Sequence, residues 1–156
     1  MACPVIATEQ YPKALGHTVE ELKTVLDATP ETSPPPTVVE KTLFSMLTPE
    51  VTATIEEKGF KSIIIMGMEA HVCVLQTSLD LLRMGVQPYV VADATCSQRD
   101  FDRTVAFQRI RDSGGILTTT ESIMFELAKG KDHPCFRTVS GLAKEYQSAV
   151  SGLSHL

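Results

Sequence analysis

Hydrophobic positions come in short solid blocks separated by longer stretches with a helical rhythm. KSIIIMG (61–67), VQPYVVAD (86–93) and ILTTT (116–120) are near-continuous apolar runs closed by glycine or polar residues. Between and after them lie HVCVLQTSLDLLRMG (71–85), SQRDFDRTVAFQRIRDSGG (97–115) and ESIMFELAKG (121–130), each closed by glycine. In the first of these, Val72, Leu75, Leu79 and Leu82 recur at three- and four-residue steps, which predicts one apolar helical face. Strands apolar on both faces, alternating with helices, predict an α/β fold with a parallel sheet.

The first half is less regular. CPVIAT (3–8) and TVVEKT (37–42) predict strands, and TEQYPKALGHT (8–18) predicts a loop turning at Pro12 and Gly16. VEELKTVL (19–26) predicts a short amphipathic helix, while DATPETSPPP (27–36) excludes regular structure because its prolines lack donors. In TPEVTATIEEKG (48–59), Thr48 is the expected N-cap, Pro49 the first helical residue and Gly59 the stop.

At 156 residues the chain fits a single domain, 1–156, with about 141–156 forming a C-terminal helix or tail. Fourteen Lys and Arg against 19 Asp and Glu give a net charge of −5 without a basic cluster, which argues against nucleic acid as a partner. No apolar run is long enough to span a bilayer and no signal-peptide pattern opens the chain, so a cytoplasmic or mitochondrial-matrix setting is expected. Cys3, Cys73, Cys96 and Cys135 are widely spaced and lack a zinc-ligand pattern, so reduced thiols are expected.

Ligands of open parallel sheets gather at the carboxyl ends of strands. Cys73 falls there, in the expected first turn of the helix after KSIIIMG. Backbone N–H groups in such a turn can stabilise an anion or receive an oxyanion, although a lone helical cysteine is more often a small buried hydrophobe. Lys41, at the end of TVVEKT, is a second candidate, and a solvated surface lysine is its ordinary alternative.

VVEKTLFSM (38–46), followed by GMEAHVCVLQT (67–77), resembles the isochorismatase-like cysteine hydrolases, the isochorismatase domain-containing proteins of eukaryotes above all. TEQYPKALG, DATCSQ and TTTES extend the likeness over nearly all of residues 3–140. The resemblance implies a doubly wound parallel sheet with helices on both faces. It implies Cys73 as nucleophile, Lys41 as its activating lysine, and backbone N–H groups of Glu69 and Cys73 as the oxyanion hole. A non-proline cis bond would lie between Met68 and Glu69. Thr8, Gln10, Tyr11, Phe44 and Met68 are the expected pocket residues, with a plain turn the equal alternative for the first three.

With a cysteine at position 73, the resemblance points to attack on a carbonyl-type carbon of a small C–N substrate such as an amide. It implies neither cofactor nor metal, since His17 stands alone in the sequence where nicotinamidases carry an Asp/His cluster. It also implies association of copies into a homo-oligomer.

One family element is missing from the pattern. The family aspartate, a general base, belongs at the end of a first strand in a segment like LxxDMQ. This chain begins at what resembles the second strand, and no Asp precedes Asp27. The expectation is an N-terminally truncated member whose first strand and helix are absent, with open ladder edges and a core void in mid-sheet. Asp93 matches a different, mainly structural position. Two functions follow: a cysteine hydrolase with an incomplete site, or a catalytically impaired or interaction protein on the same fold. Ribonuclease activity, a label some relatives carry, is disfavoured by the acidic chain.

Overall fold

The computed structural model describes residues 3–28 and 33–150. Among these residues five strands, β1 (Ile6–Gln10), β2 (Thr37–Lys41), β3 (Ser62–Met68), β4 (Gln87–Cys96) and β5 (Ile116–Thr118), run parallel to their ladder partners. Among the described residues seven helices accompany them: α1 (Pro12–Leu15), α2 (Glu20–Asp27), α3 (Pro49–Lys58), α4 (Leu75–Arg83), α5 (Asp100–Asp112), α6 (Thr120–Ala128) and α7 (Phe136–Val150). The fold is α/β, as the block pattern predicts.

The ladders do not join into one sheet. Among the described residues β1 pairs only with β2, while β3, β4 and β5 form a separate sheet in that order. Among the described residues no strand lies between β1 and β3, so each keeps an unpaired edge.

The core nevertheless bridges both sheets. Val39 of β2, Val51 and Ile55 of α3, Ile65 of β3, Leu75 and Leu81 of α4, Val90 of β4 and Ile110 of α5 belong to one buried cluster. Leu81, Val90 and Ile110 are fully buried. Helix α3 begins as its sequence dictates: the Thr48 side chain accepts from the Val51 N–H, Pro49 opens the helix, and Gly59 ends it in the left-handed region.

Several boundaries differ from the sequence reading. The first strand starts at Ile6 and runs to Gln10, and the expected loop after it contains α1. The residues before α4 form a π-type turn, Ala70–Val74, rather than the first turn of a single α-helix. The buried residues there are Ala70, Val74, Leu75, Thr77, Ser78 and Leu81, whereas Val72, Leu79 and Leu82 are half-buried. Periodicity missed this face because Thr77 and Ser78 are polar: their hydroxyls donate to the carbonyls of Cys73 and Val74, four residues back.

β4 continues three residues past Asp93, to Cys96. Its register with β3 shifts: Ile65 faces Val90, but Gly67 faces Thr95. Between these rungs β3 has one residue and β4 has four. Gly67, with φ of 125°, takes a conformation that disfavours a side chain. Helix α7 docks on its own domain, packing Phe136 against Phe125 of α6, and residues 151–156 of the expected tail lie outside the described residues.

Candidate active site

β2 ends in Lys41, and the parallel register places Gln10 of β1 beside it. Adjacent residues on a strand point to opposite faces, so Gln10 and Lys41 share one face while Glu9 and Glu40 share the other. Lys41 is buried, with 6% of its surface exposed, so it is no ordinary surface lysine. Its ammonium donates to the side-chain oxygen of Gln10 and to the carbonyls of Leu43 at 2.9 Å and Phe44 at 3.0 Å. The Sγ of Cys73 is a fourth neighbour at 3.8 Å.

An ammonium has three N–H bonds, and three oxygens surround this one. Lys41 is thus held as a fixed positive charge beside the sulfur and clamps the loop that follows β2. Among the described residues none of its hydrogen-bond partners is a carboxylate. Such a charge favours negative charge developing at sulfur or on an adjoining oxygen.

Cys73 itself comes from the π-type turn. The N–H groups of Val72 and Val74 both donate to the Glu69 carbonyl at 3.2 Å. The peptide bond between Met68 and Glu69 is cis. The Glu69 carboxylate accepts from the Gln98 N–H at 2.9 Å, and the His71 ring lies 3.0 Å from the Ser97 hydroxyl. The turn is thereby anchored to the segment after β4. Cys73 is half-buried, whereas Cys3, Cys96 and Cys135 are exposed.

Sequence reasoning missed Thr77. Its buried hydroxyl donates to the Cys73 carbonyl at 2.6 Å and accepts from the Met46 N–H at 2.8 Å. This joins the cysteine turn to the loop that Lys41 clamps. A threonine four residues beyond a helical cysteine was the available signal.

Of the expected pocket residues, Gln10 touches Lys41 directly and Phe44 does so through its carbonyl. The Phe44 and Met68 side chains are largely exposed, and Tyr11, at φ of 42°, donates its N–H to the Lys41 carbonyl at 2.8 Å. Thr8 lies half-buried within β1, two residues before Gln10.

His17 does not stand alone, contrary to the sequence reading, because spacing along the chain concealed a contact across the β1–α2 connection. Its Nδ1 is 2.7 Å from Glu9 Oε2, and Thr18 donates its N–H and hydroxyl to Glu9 Oε1. The Thr18 N–H, the His17 ring and the Thr18 hydroxyl hold the Glu9 carboxyl well down, at about 2. Glu9, His17 and Glu40 bring possible ligand atoms within 4.8 Å of one another and could hold a cation. Glu9 and Glu40 lie on the strand face opposite Lys41.

Asp93 is engaged elsewhere. It accepts from the Thr120 N–H at 2.8 Å and the Tyr146 hydroxyl at 2.7 Å, linking β4 to α6 and α7. Among the described residues no helix is long and apolar enough to cross a membrane.

Residues 1–122 match the isochorismatase domain. The chain is 44% identical over 158 aligned positions to isochorismatase family protein 1A of Dictyostelium discoideum, covering 98% of this chain and 75% of that protein. It is 39% identical to isochorismatase domain-containing protein 1 of Danio rerio over 92% of this chain, and spans 48% of that relative's length. Among solved structures it is similar to the MAR1 ribonuclease of Caenorhabditis elegans, with 45% identity and a TM-score of 0.81 over 89% of this chain and 68% of that one.

Proposed function

Because this chain belongs to the isochorismatase family, we propose that it is a hydrolase in which the Cys73 thiol attacks a carbonyl-type carbon of a small amide or related C–N substrate. The observation that carries this reading is the buried Lys41 ammonium 3.8 Å from Cys73 Sγ. In the first step a C–S bond forms, negative charge moves onto the carbonyl oxygen, and the C–N bond breaks as the thiol proton passes to the leaving nitrogen. Water then cleaves the thioester and restores the thiol.

In this reading the backbone N–H groups of Glu69 and Cys73 receive the oxyanion, and Lys41 supplies a fixed charge beside it. Its protons are engaged by three oxygens, which suits an electrostatic role better than proton transfer. Gln10 orients Lys41, and the exposed side chains of Tyr11, Phe44 and Met68 border the entrance. Exposed Phe101 and Met68 support association with further copies of the chain, and a cytoplasmic setting belongs to the same proposal.

The test is alkylation with iodoacetamide near neutral pH, with each cysteine mapped by mass spectrometry. Cys73 is expected to react fastest although the other three thiols are more exposed. A Lys41→Met variant should slow Cys73 alone. Equal rates at Cys73 and Cys96 would remove the activated nucleophile. A substrate panel read for a Cys73-bound acyl adduct, absent in Cys73→Ala, then identifies the substrate class.

The nematode relative's description as a ribonuclease favours a second reading, cleavage of RNA. The net charge of −5 and the burial of Lys41 weigh against it. Intact RNA after prolonged incubation with the pure protein would dispose of it.

A further inference from the structure

We propose that His71 is a positioning residue for the oxyanion hole: together with Ser97 and Gln98 it fixes Glu69 against the end of β4. The inference rests on the reading of Cys73 as nucleophile and of the Glu69 and Cys73 N–H groups as oxyanion donors.

His71 stands midway between those two donors in the chain, inside the π-type turn Ala70–Val74. Within the turn Glu69 is held only loosely, its carbonyl receiving the Val72 and Val74 N–H groups at 3.2 Å. An oxyanion donor must stand about 2.7–3.1 Å from its oxygen, and a misplacement of about 1 Å costs up to about a hundredfold in rate. So wide a turn needs an outside brace to keep its aim.

Three consecutive residues at the end of β4 supply one. Cys96 is the ladder partner of Met68. The Gln98 N–H donates to the Glu69 carboxylate at 2.9 Å, and the Ser97 hydroxyl lies 3.0 Å from His71 Nδ1. The Glu69 carboxylate is 3.6 Å from that same nitrogen. The imidazole therefore closes a ring of contacts from Glu69 through Ser97 and Gln98 back to Glu69. A carboxylate can only accept, so the Nδ1 proton belongs on the ring, donated to the Ser97 oxygen with its positive end towards Glu69. Both side chains are half-buried, which strengthens that attraction over its value in water.

Thr77 braces the other side of the turn, through the Cys73 carbonyl. The two braces have different targets: Thr77 holds the residue that carries the sulfur, and His71 holds the peptide that meets the oxyanion.

Two reagents applied to the full chain separate these effects. Iodoacetamide loses iodide to sulfur without charge developing on an oxygen, so it reads the thiol alone. p-Nitrophenyl acetate passes through an oxyanion: a C–S bond forms, the C–O bond to nitrophenolate breaks, and the thiol proton goes to water. Both rates are read at Cys73 by mass spectrometry. His71→Ala and Glu69→Ala should slow acetylation about tenfold or more, while alkylation changes by less than about twofold. His71→Asn, whose amide N–H replaces the Nδ1–H, and Glu69→Gln, which keeps an acceptor for Gln98, should recover most of the acetylation.

Equal slowing of both reactions would make the imidazole a base for the thiol or a prop of the turn, and would overturn the proposal. So would unchanged acetylation in His71→Ala, no recovery in His71→Asn, or an unaltered chain that acetylates at Cys73 no faster than at Cys96. With any of these, rapid alkylation of Cys73 leaves the nucleophile reading standing. Alkylation of Cys73 no faster than of Cys96 removes both.

Discussion

Thr77 and Cys73 are tied by a 2.6 Å hydrogen bond from the threonine hydroxyl to the cysteine carbonyl, and the same hydroxyl receives the Met46 N–H. The loop carrying the Lys41-bound carbonyls and the turn carrying the thiol therefore share one buried oxygen. Replacing Thr77 with valine keeps the shape but removes the acceptor of the Met46 N–H and one donor to the Cys73 carbonyl, at a cost of about 1–3 kcal/mol. Thermal unfolding should register that loss, and Cys73 alkylation should slow as its alignment with Lys41 loosens. Thr77→Ser should restore most of both.

Glu9 supplies an acid-sensitive latch. Its carboxyl titrates at about 2 in the folded chain, below its ordinary value of 4.5, so its ionised form is favoured by folding. The associated stability is fully present above pH 4.5 and is lost as pH falls toward 2. NMR of the Thr18 amide should report release of the β1–α2 connection within that window. Glu9→Gln should remove the transition.

Gly115 closes α5 with no room for a side chain. A Cβ there would meet Ile110 Cγ2 at 2.5 Å and the Ile110 carbonyl at 3.0 Å, and Ile110 is fully buried. Gly115→Ala should cost about 1–3 kcal/mol in a denaturant titration, since neither contact lies at the end of a flexible exposed chain.

Asp93 and Tyr146 hold α7 to the domain. Burial raises the Asp93 carboxyl, but hydrogen bonds from Tyr146 and Thr120 outweigh it and the net direction is down. The Asp93 hydrogen bond, then burial, raises the Tyr146 hydroxyl above its ordinary 10.0. Ultraviolet titration should show Tyr146 ionising earlier in Asp93→Asn. Hydrogen exchange in α7 should quicken in Tyr146→Phe and Asp93→Asn, and no further in the double variant.

Apolar blocks and end signals made most elements legible: Thr48, Pro49 and Gly59 bound α3 as they do in the sequence. Polar residues in buried places were not. Thr77 and Ser78 look like the solvent face of α4 until their bonds to earlier carbonyls are seen. Lys41 and Cys73 could be singled out because strand ends and helix starts converge in parallel folds. Gln10 as the lysine's partner depended on the β1–β2 register, and His17 with Glu9 on a contact eight residues apart. Neither is written in periodicity.

The uneven rungs of β3 and β4 give distant residues leverage over the thiol. Arg103 of α5 holds the Thr95 carbonyl at 2.8 Å and also binds the Ala92 carbonyl, gripping the bowed stretch at two points. Thr95 and Cys96 are the rungs opposite Gly67 and Met68, where β3 hands over to the cysteine turn. Arg103 ties the surplus length of β4 to α5 beside the point where β3 hands over to the cysteine turn. A guanidinium on α5, a helix that also packs against the cysteine turn, thus helps set where the Cys73 sulfur sits.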